Sequence, residues 1–219
     1  MSKESVVERL LDRAVRRSKG HDVATKLRQE HPGASPAELI AGLEKRYLRK
    51  AAMLGGGVGA VATVPAVGTG TAAVLTTAQL ATFMTSTATY VMAVASMHGV
   101  EVDDLERRRT LLMAALLGED GAEAISGQMG LGTLYWAKAA LTKLPIGSVR
   151  SINKRLKRRL LTAGAAKGGS VVLGRLAPFG VGAVVGWFGT RAIAKNVVEG
   201  VQKAFGPAPA AFAADIVAR

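Results

Sequence analysis

Between Glu4 and Lys19 the apolar residues Val7, Leu10, Leu11, Ala14 and Val15 recur at three- and four-residue spacings, the stripe of an amphipathic helix, with Gly20 expected to end it. Ser35-Pro36-Ala37-Glu38 is a start signal: a capping serine, a proline at the first helical position and a glutamate three residues after the serine. The helix it opens carries Leu39, Ile40, Leu43, Tyr47 and Leu48 toward the glycines at 55–57. Then the alternation of polar and apolar positions stops. From Ala51 to Met97 there is no charged side chain over 47 residues, and the stretch around Pro65 predicts two helices joined by a turn near 64–70. The second ends at Gly99, where a left-handed cap suits glycine.

Asp103 and Glu106 predict a further capped helix over Leu105–Leu117, stopped by Gly118. Beyond it the pattern predicts helices over 122–144, 148–163 and 179–205, followed by a Pro/Ala-rich tail. No alternating segment is flanked by hairpin turns, so the expected fold is all-α, a compact multi-helix bundle whose charge-free centre has the makings of a membrane-inserting hairpin. Residues 1–206 read as one helical domain, with 1–34 as an N-terminal appendage and 207–219 as the tail.

Composition sharpens this picture at two points. Glycine is abundant, at 26 residues, and aromatics are sparse, at 5%, so helices must meet through small side chains. Gly174, Pro178, Gly182, Gly186, Thr190 and Ala194 recur every four residues, and Gly55, Gly59 and Thr63 begin a similar ladder; both specify close helix packing, in water or in lipid. Cysteine is absent, which removes disulfides, thiolate metal sites and thiol nucleophiles, and the charged N-terminal segment lacks the apolar run of an export signal.

The charge of +13 lies almost wholly in the second half. Residues 1–123 carry 15 basic and 14 acidic groups, residues 124–219 carry 14 and 2, and no acid occurs between Ala124 and Val198. In the helix expected over 148–163, Val149, Ile152, Leu156 and Leu160 share one side while Arg150, Lys154, Arg155, Lys157, Arg158 and Arg159 occupy the others, a pattern suited to an anionic headgroup layer. Nucleic acid is the rival partner, disfavoured because the helix has no aromatic ring to stack on a base.

Gly57-Val58-Gly59-Ala60-Val61-Ala62 and Gly68-Thr69-Gly70-Thr71-Ala72-Ala73 match the dinucleotide-loop spacing but lack the preceding strand and the later ribose-binding acid. His98, near Glu101, Asp103, Asp104 and Glu106, reads as a helix end rather than a metal site, and His21 and His31 as residues of polar connections. Trp136 with Tyr135, and Trp187 with Phe188, read as packing anchors. No nucleophile and base stand at a catalytic spacing, so the expectation is a protein with no catalytic residues, metal or cofactor.

Three stretches, EHPGASPAELIAGLEKRYLRKAA running into GGGVGAVATVPAVGTG, YVMAVASMHGVEVDDLERRRTLLMAALLG, and LAPFGVGAVVGWFGTRAIAKNVVEGVQKAFGP, resemble the bacterial EcsC protein family over most of residues 22–206. The resemblance implies a helical protein associated with the inner face of the cell membrane or with envelope transport, an ABC transporter being the candidate membrane-protein partner; it transfers no catalytic residues. The combined expectation is a non-enzymatic, membrane-associated protein, peripheral rather than integral, that binds anionic lipid and offers grooves between close helices to a lipid or hydrophobic partner. Its alternatives are an integral transporter accessory and a soluble basic module for nucleic acid.

Overall fold

The computed structural model describes residues 3–61, 69–129, 135–166, 181–212 and 216–218. Its elements are α1 (Lys3–Arg17), α2 (Gly20–Glu30), α3 (Pro36–Val61), α4 (Thr69–Met97), β1 (Val100–Val102), α5 (Leu105–Leu117), α6 (Glu119–Met129), α7 (Trp136–Thr142), α8 (Ile146–Ala166), α9 (Val181–Phe205) and β2 (Ile216–Ala218). The fold is an all-α compact bundle.

Local chemistry explains where the helices begin and end. At α3 the Ser35 amide and hydroxyl both donate to the Glu38 carboxylate, at 2.7 and 2.8 Å, while the Glu38 amide donates to the Ser35 hydroxyl at 3.3 Å. Those donors hold the Glu38 carboxyl below its ordinary pKa. Helix α3 then runs on through the glycines to Val61 rather than stopping at them. Gly99 and Gly118 take positive φ, 74° and 61°, and end α4 and α5 as expected.

Helix α4 forms the axis of the bundle, with α1, α2, α3, α5 and α9 packed about it. Its last turns are buried on every side: Val91, Ala93, Ala95 and Met97 are fully enclosed. Leu10, Leu11, Ala14 and Val15 of α1 and Ala24 and Leu27 of α2 belong to the same core. Tyr47 of α3 stacks on Tyr90 of α4 with ring centres 4.6 Å apart, and its hydroxyl lies 2.9 Å from that of Thr87. Burial drives both phenols well above their ordinary pKa. Helix α9 lies along α3, and Gln202 donates to Glu44 at 3.0 Å.

Five further expectations need correction. Gly20 does not end α1; it opens α2, because only a residue without a side chain fits where a Cβ would strike Cβ of Met92 and the backbone of Ala93. His21 therefore stands in a helix, with Nδ1 3.1 Å from the Ser96 hydroxyl and Nε2 3.7 Å from Glu101, not in a polar connection. The cap of α5 is Asp104, which accepts from the Arg107 amide at 2.9 Å, and Asp103 instead faces Arg108 at 3.9 Å. The single helix expected over 122–144 is two, α6 and α7, the latter entered through Tyr135 in the left-handed region at φ 59°. The chain also contains strand: Val100, Glu101 and Val102 pair in parallel with Ile216, Val217 and Ala218. Three-residue strands far apart in sequence carry too little alternation to be read from pattern.

Candidate functional site

Helix α8 is seated on α5 by polar contacts in an otherwise apolar seam. Val149, Ile152 and Leu156 are buried, and Asn153 among them donates to both the backbone carbonyl and the carboxylate of Glu106, each at 2.9 Å, while accepting from Thr110 at 2.7 Å. Burying that one side fixes which basic residues face outward. Arg150, Lys154, Arg155, Arg158 and Arg159 are exposed and Lys157 is half-buried.

The six do not act alike. Lys157 is held by Glu8 of α1 at 2.7 Å. Arg159 donates to the Asp120 carbonyl at 2.8 Å and lies 3.5 Å from Glu123. Arg150, Lys154, Arg155 and Arg158 make no ion pair among the described residues, and at 100° per residue they span one continuous arc of about 140° opposite the buried side. The charges of the first half show the opposite usage: three consecutive arginines on α5 each fasten a different element. Arg107, buried, donates to the carbonyls of Leu144 and Ala140 at the end of α7, at 3.0 and 3.4 Å. Arg108 donates to the carbonyls of Val102 and, at 3.3 Å, Val15, and Arg109 bridges Asp12 and Glu106 at 2.5 and 2.6 Å. A cation at a helix C-terminus complements the carbonyls there.

Of the packing glycines expected from the ladders, Gly55 is buried in α3. The backbone of Gly59, Gly182 and Gly186 is helical, but their surroundings, and Gly174 altogether, lie outside the described residues, as do the side chains of Trp187 and Phe188. Close contacts that sequence reasoning missed are made by Gly121 against the Ala114 backbone and Gly200 against Gly118 and Ala115. Residues 57–61 of the first dinucleotide-like motif are a stretch of α3 rather than a strand-fed loop.

A cleft of about 320 Å³ opens between α3, α4 and α9, lined by Glu44, His98, Tyr135 and Gln202 among others. His98 packs on the Phe205 ring at 5.1 Å, and burial, with Lys138 nearby, lowers its pKa. Trp136 is buried, as expected of an anchor. Among the described residues no three His, Asp or Glu side chains gather as metal ligands would. Among the described residues one helical segment, Ala78–Met97, is long and apolar enough to cross a membrane, and two-thirds of it, 67%, is buried inside the bundle. No family model, curated protein or solved structure matches the chain.

Proposed function

We propose that this is a non-enzymatic protein that docks reversibly on anionic membrane surfaces from the cytoplasmic side. The observation that carries the reading is the exposed arc of Arg150, Lys154, Arg155 and Arg158 on α8, four cations with no ion-pair partner among the described residues on a helix whose other side is locked into the core. Each basic side chain near an anionic leaflet contributes roughly 1 kcal/mol, so four give a hold that is real, reversible and weakened by salt. The burial of Ala78–Met97 favours peripheral over integral attachment, since a segment already enclosed by protein gains little from lipid. The resemblance to the EcsC family points to the same side of the membrane and to a transporter as neighbour.

Co-sedimentation with vesicles tests this. Binding to equimolar phosphatidylcholine and phosphatidylglycerol, absent with phosphatidylcholine alone and lost at high salt, is expected. Equal binding to both vesicles, or tighter binding to duplex or single-stranded nucleic acid at physiological salt, would overturn it.

A further inference from the structure

The cleft between α3, α4 and α9 is built from short pieces of helix face. Ile40 and Glu44 stand four residues apart on α3, and Val94 and His98 four apart on α4, so each helix sets an apolar residue beside a polar one along the wall. Val201 and Gln202 of α9 add a third such pair, and Tyr135 with the chain that leaves α9 at Gly206 completes the lining. Its volume of about 320 Å³ falls within the range of roughly 300–1,000 Å³ that takes small molecules.

The polar groups converge as acceptors. A carboxylate can only accept, so the Gln202 amide turns its nitrogen to Glu44 Oε1 at 3.0 Å, and the Tyr90 hydroxyl approaches the same oxygen at 3.5 Å. These bonds hold Glu44 in place, while its Oε2 and the Gln202 carbonyl oxygen have no donor among the described residues. The His98 imidazole, packed on Phe205, makes no hydrogen bond among them either. Burial, with Lys138 nearby, keeps that ring neutral at neutral pH, which leaves Glu44 as the charged group of the described lining. In a chain of net charge +13 the cleft is a local negative site. Lys138 itself is exposed and outside the lining, so water and salt screen it.

A second, independent feature falls at the same place. Tyr135 is the non-glycine residue of positive φ among the described ones, at 59°, and it is 48% exposed although a ring of that size gains by burial. Gly206, at φ 81°, lies so close that a Cβ on it would strike the tyrosine ring, so the turn after α9 backs that ring. Strained backbone persists where the surrounding structure fixes it, and it gathers at ligand clamps. Here two left-handed residues together set an aromatic wall in a cleft that also holds a carboxylate. Ring and carboxylate are the pair that recognises an organic cation, one through its face and the other through a charge-assisted hydrogen bond.

We propose that this cleft binds a small organic cation, an amine or amidine carried on an apolar body, with the Glu44 carboxylate holding the charge and the Tyr135 ring covering the body. The site is separate from the basic arc on α8 and does not depend on membrane docking.

Phenethylammonium, an aromatic ring bearing a primary ammonium, is the probe, with 2-phenylethanol and phenylacetate as neutral and anionic counterparts of similar size. Each is titrated into the full chain without lipid and followed by amide nuclear magnetic resonance. Saturable shifts at the amides of residues 40, 44, 94, 98 and 201–206 are expected, with a dissociation constant of about 1 mM for so small a molecule. The two counterparts should bind about tenfold more weakly or worse. Glu44→Gln, which keeps the shape of the side chain, should weaken phenethylammonium about tenfold and leave 2-phenylethanol unchanged. Tyr135→Asn, a residue tolerated at positive φ, should weaken both. Absence of saturable shifts at these amides overturns the site. Phenylacetate or 2-phenylethanol bound as tightly as phenethylammonium overturns the selection for a cation, a comparison that needs only the wild-type chain. Undiminished phenethylammonium binding by folded Glu44→Gln overturns the role of the carboxylate.

Discussion

Asn153 of α8 and Glu106 of α5 are joined twice, by donation from the amide to the backbone carbonyl and to the carboxylate, both at 2.9 Å. This pair sets the rotation of α8 about its axis and so determines which cations face outward. Asn153→Ala removes both bonds and leaves the Thr110 hydroxyl without one acceptor, a loss of about 1–3 kcal/mol in unfolding free energy, read from urea titration.

The arc on α8 predicts a graded response to charge. Arg150→Glu with Lys154→Glu and Arg158→Glu should abolish binding to anionic vesicles while leaving the melting temperature within a few degrees, because these side chains face solvent. Lys157→Ala should do less to binding and more to folding, since Lys157 is tied to Glu8; an exposed pair of this kind contributes under about 1 kcal/mol. Equal effects of the two changes on vesicle binding would contradict the assignment.

Glycine positions separate contact from composition. Gly20→Ala puts a Cβ against Met92 and the Ala93 backbone, and since backbone cannot swing aside, destabilisation by about 1–3 kcal/mol or more is expected. Gly42→Ala has open space around the new methyl and sits inside α3, where alanine is favoured by roughly 0.5–1 kcal/mol, so it should stabilise. Thermal melts of the two variants give the comparison directly.

The pH dependence carries the signature of His98. Its pKa in the folded protein lies below the ordinary 6.5, so the unfolded chain binds more protons between the two values and stability rises with pH across that window. The contribution is complete above 6.5 and declines as pH falls toward the folded value. His98→Phe should flatten the unfolding free energy over the mildly acidic range; an unchanged slope would assign it to another group.

How far the sequence revealed this molecule depended on the range of the interaction. The Ser35–Glu38 box and the glycine stops at 99 and 118 are local, and they stand where the pattern placed them. The pattern pointed to Asp103 as the cap of α5, one residue short of Asp104, because pattern places a helix start only to within a residue or two. The break between α6 and α7 had a signal in Gly130 and Gly132, outweighed by the apolar content on either side. The strand pair and the seats of Gly20 and Gly200 depend on what the distant chain presents, which no local window contains. The same holds at the candidate site: the stripe on α8 was legible, whereas the tethering of Lys157 to Glu8 and of Arg159 to Glu123 was not.

The position of α4 at the axis determines how the molecule can come apart. With neighbours around the whole circumference of its last turns, from Val91 to Met97, it cannot be stripped on one flank without wetting side chains that the others also need. Partial openings are thereby penalised, and the amide protons of Val91 to Ala95 should exchange with deuterium only when the entire chain unravels, at a rate that reports global rather than local opening.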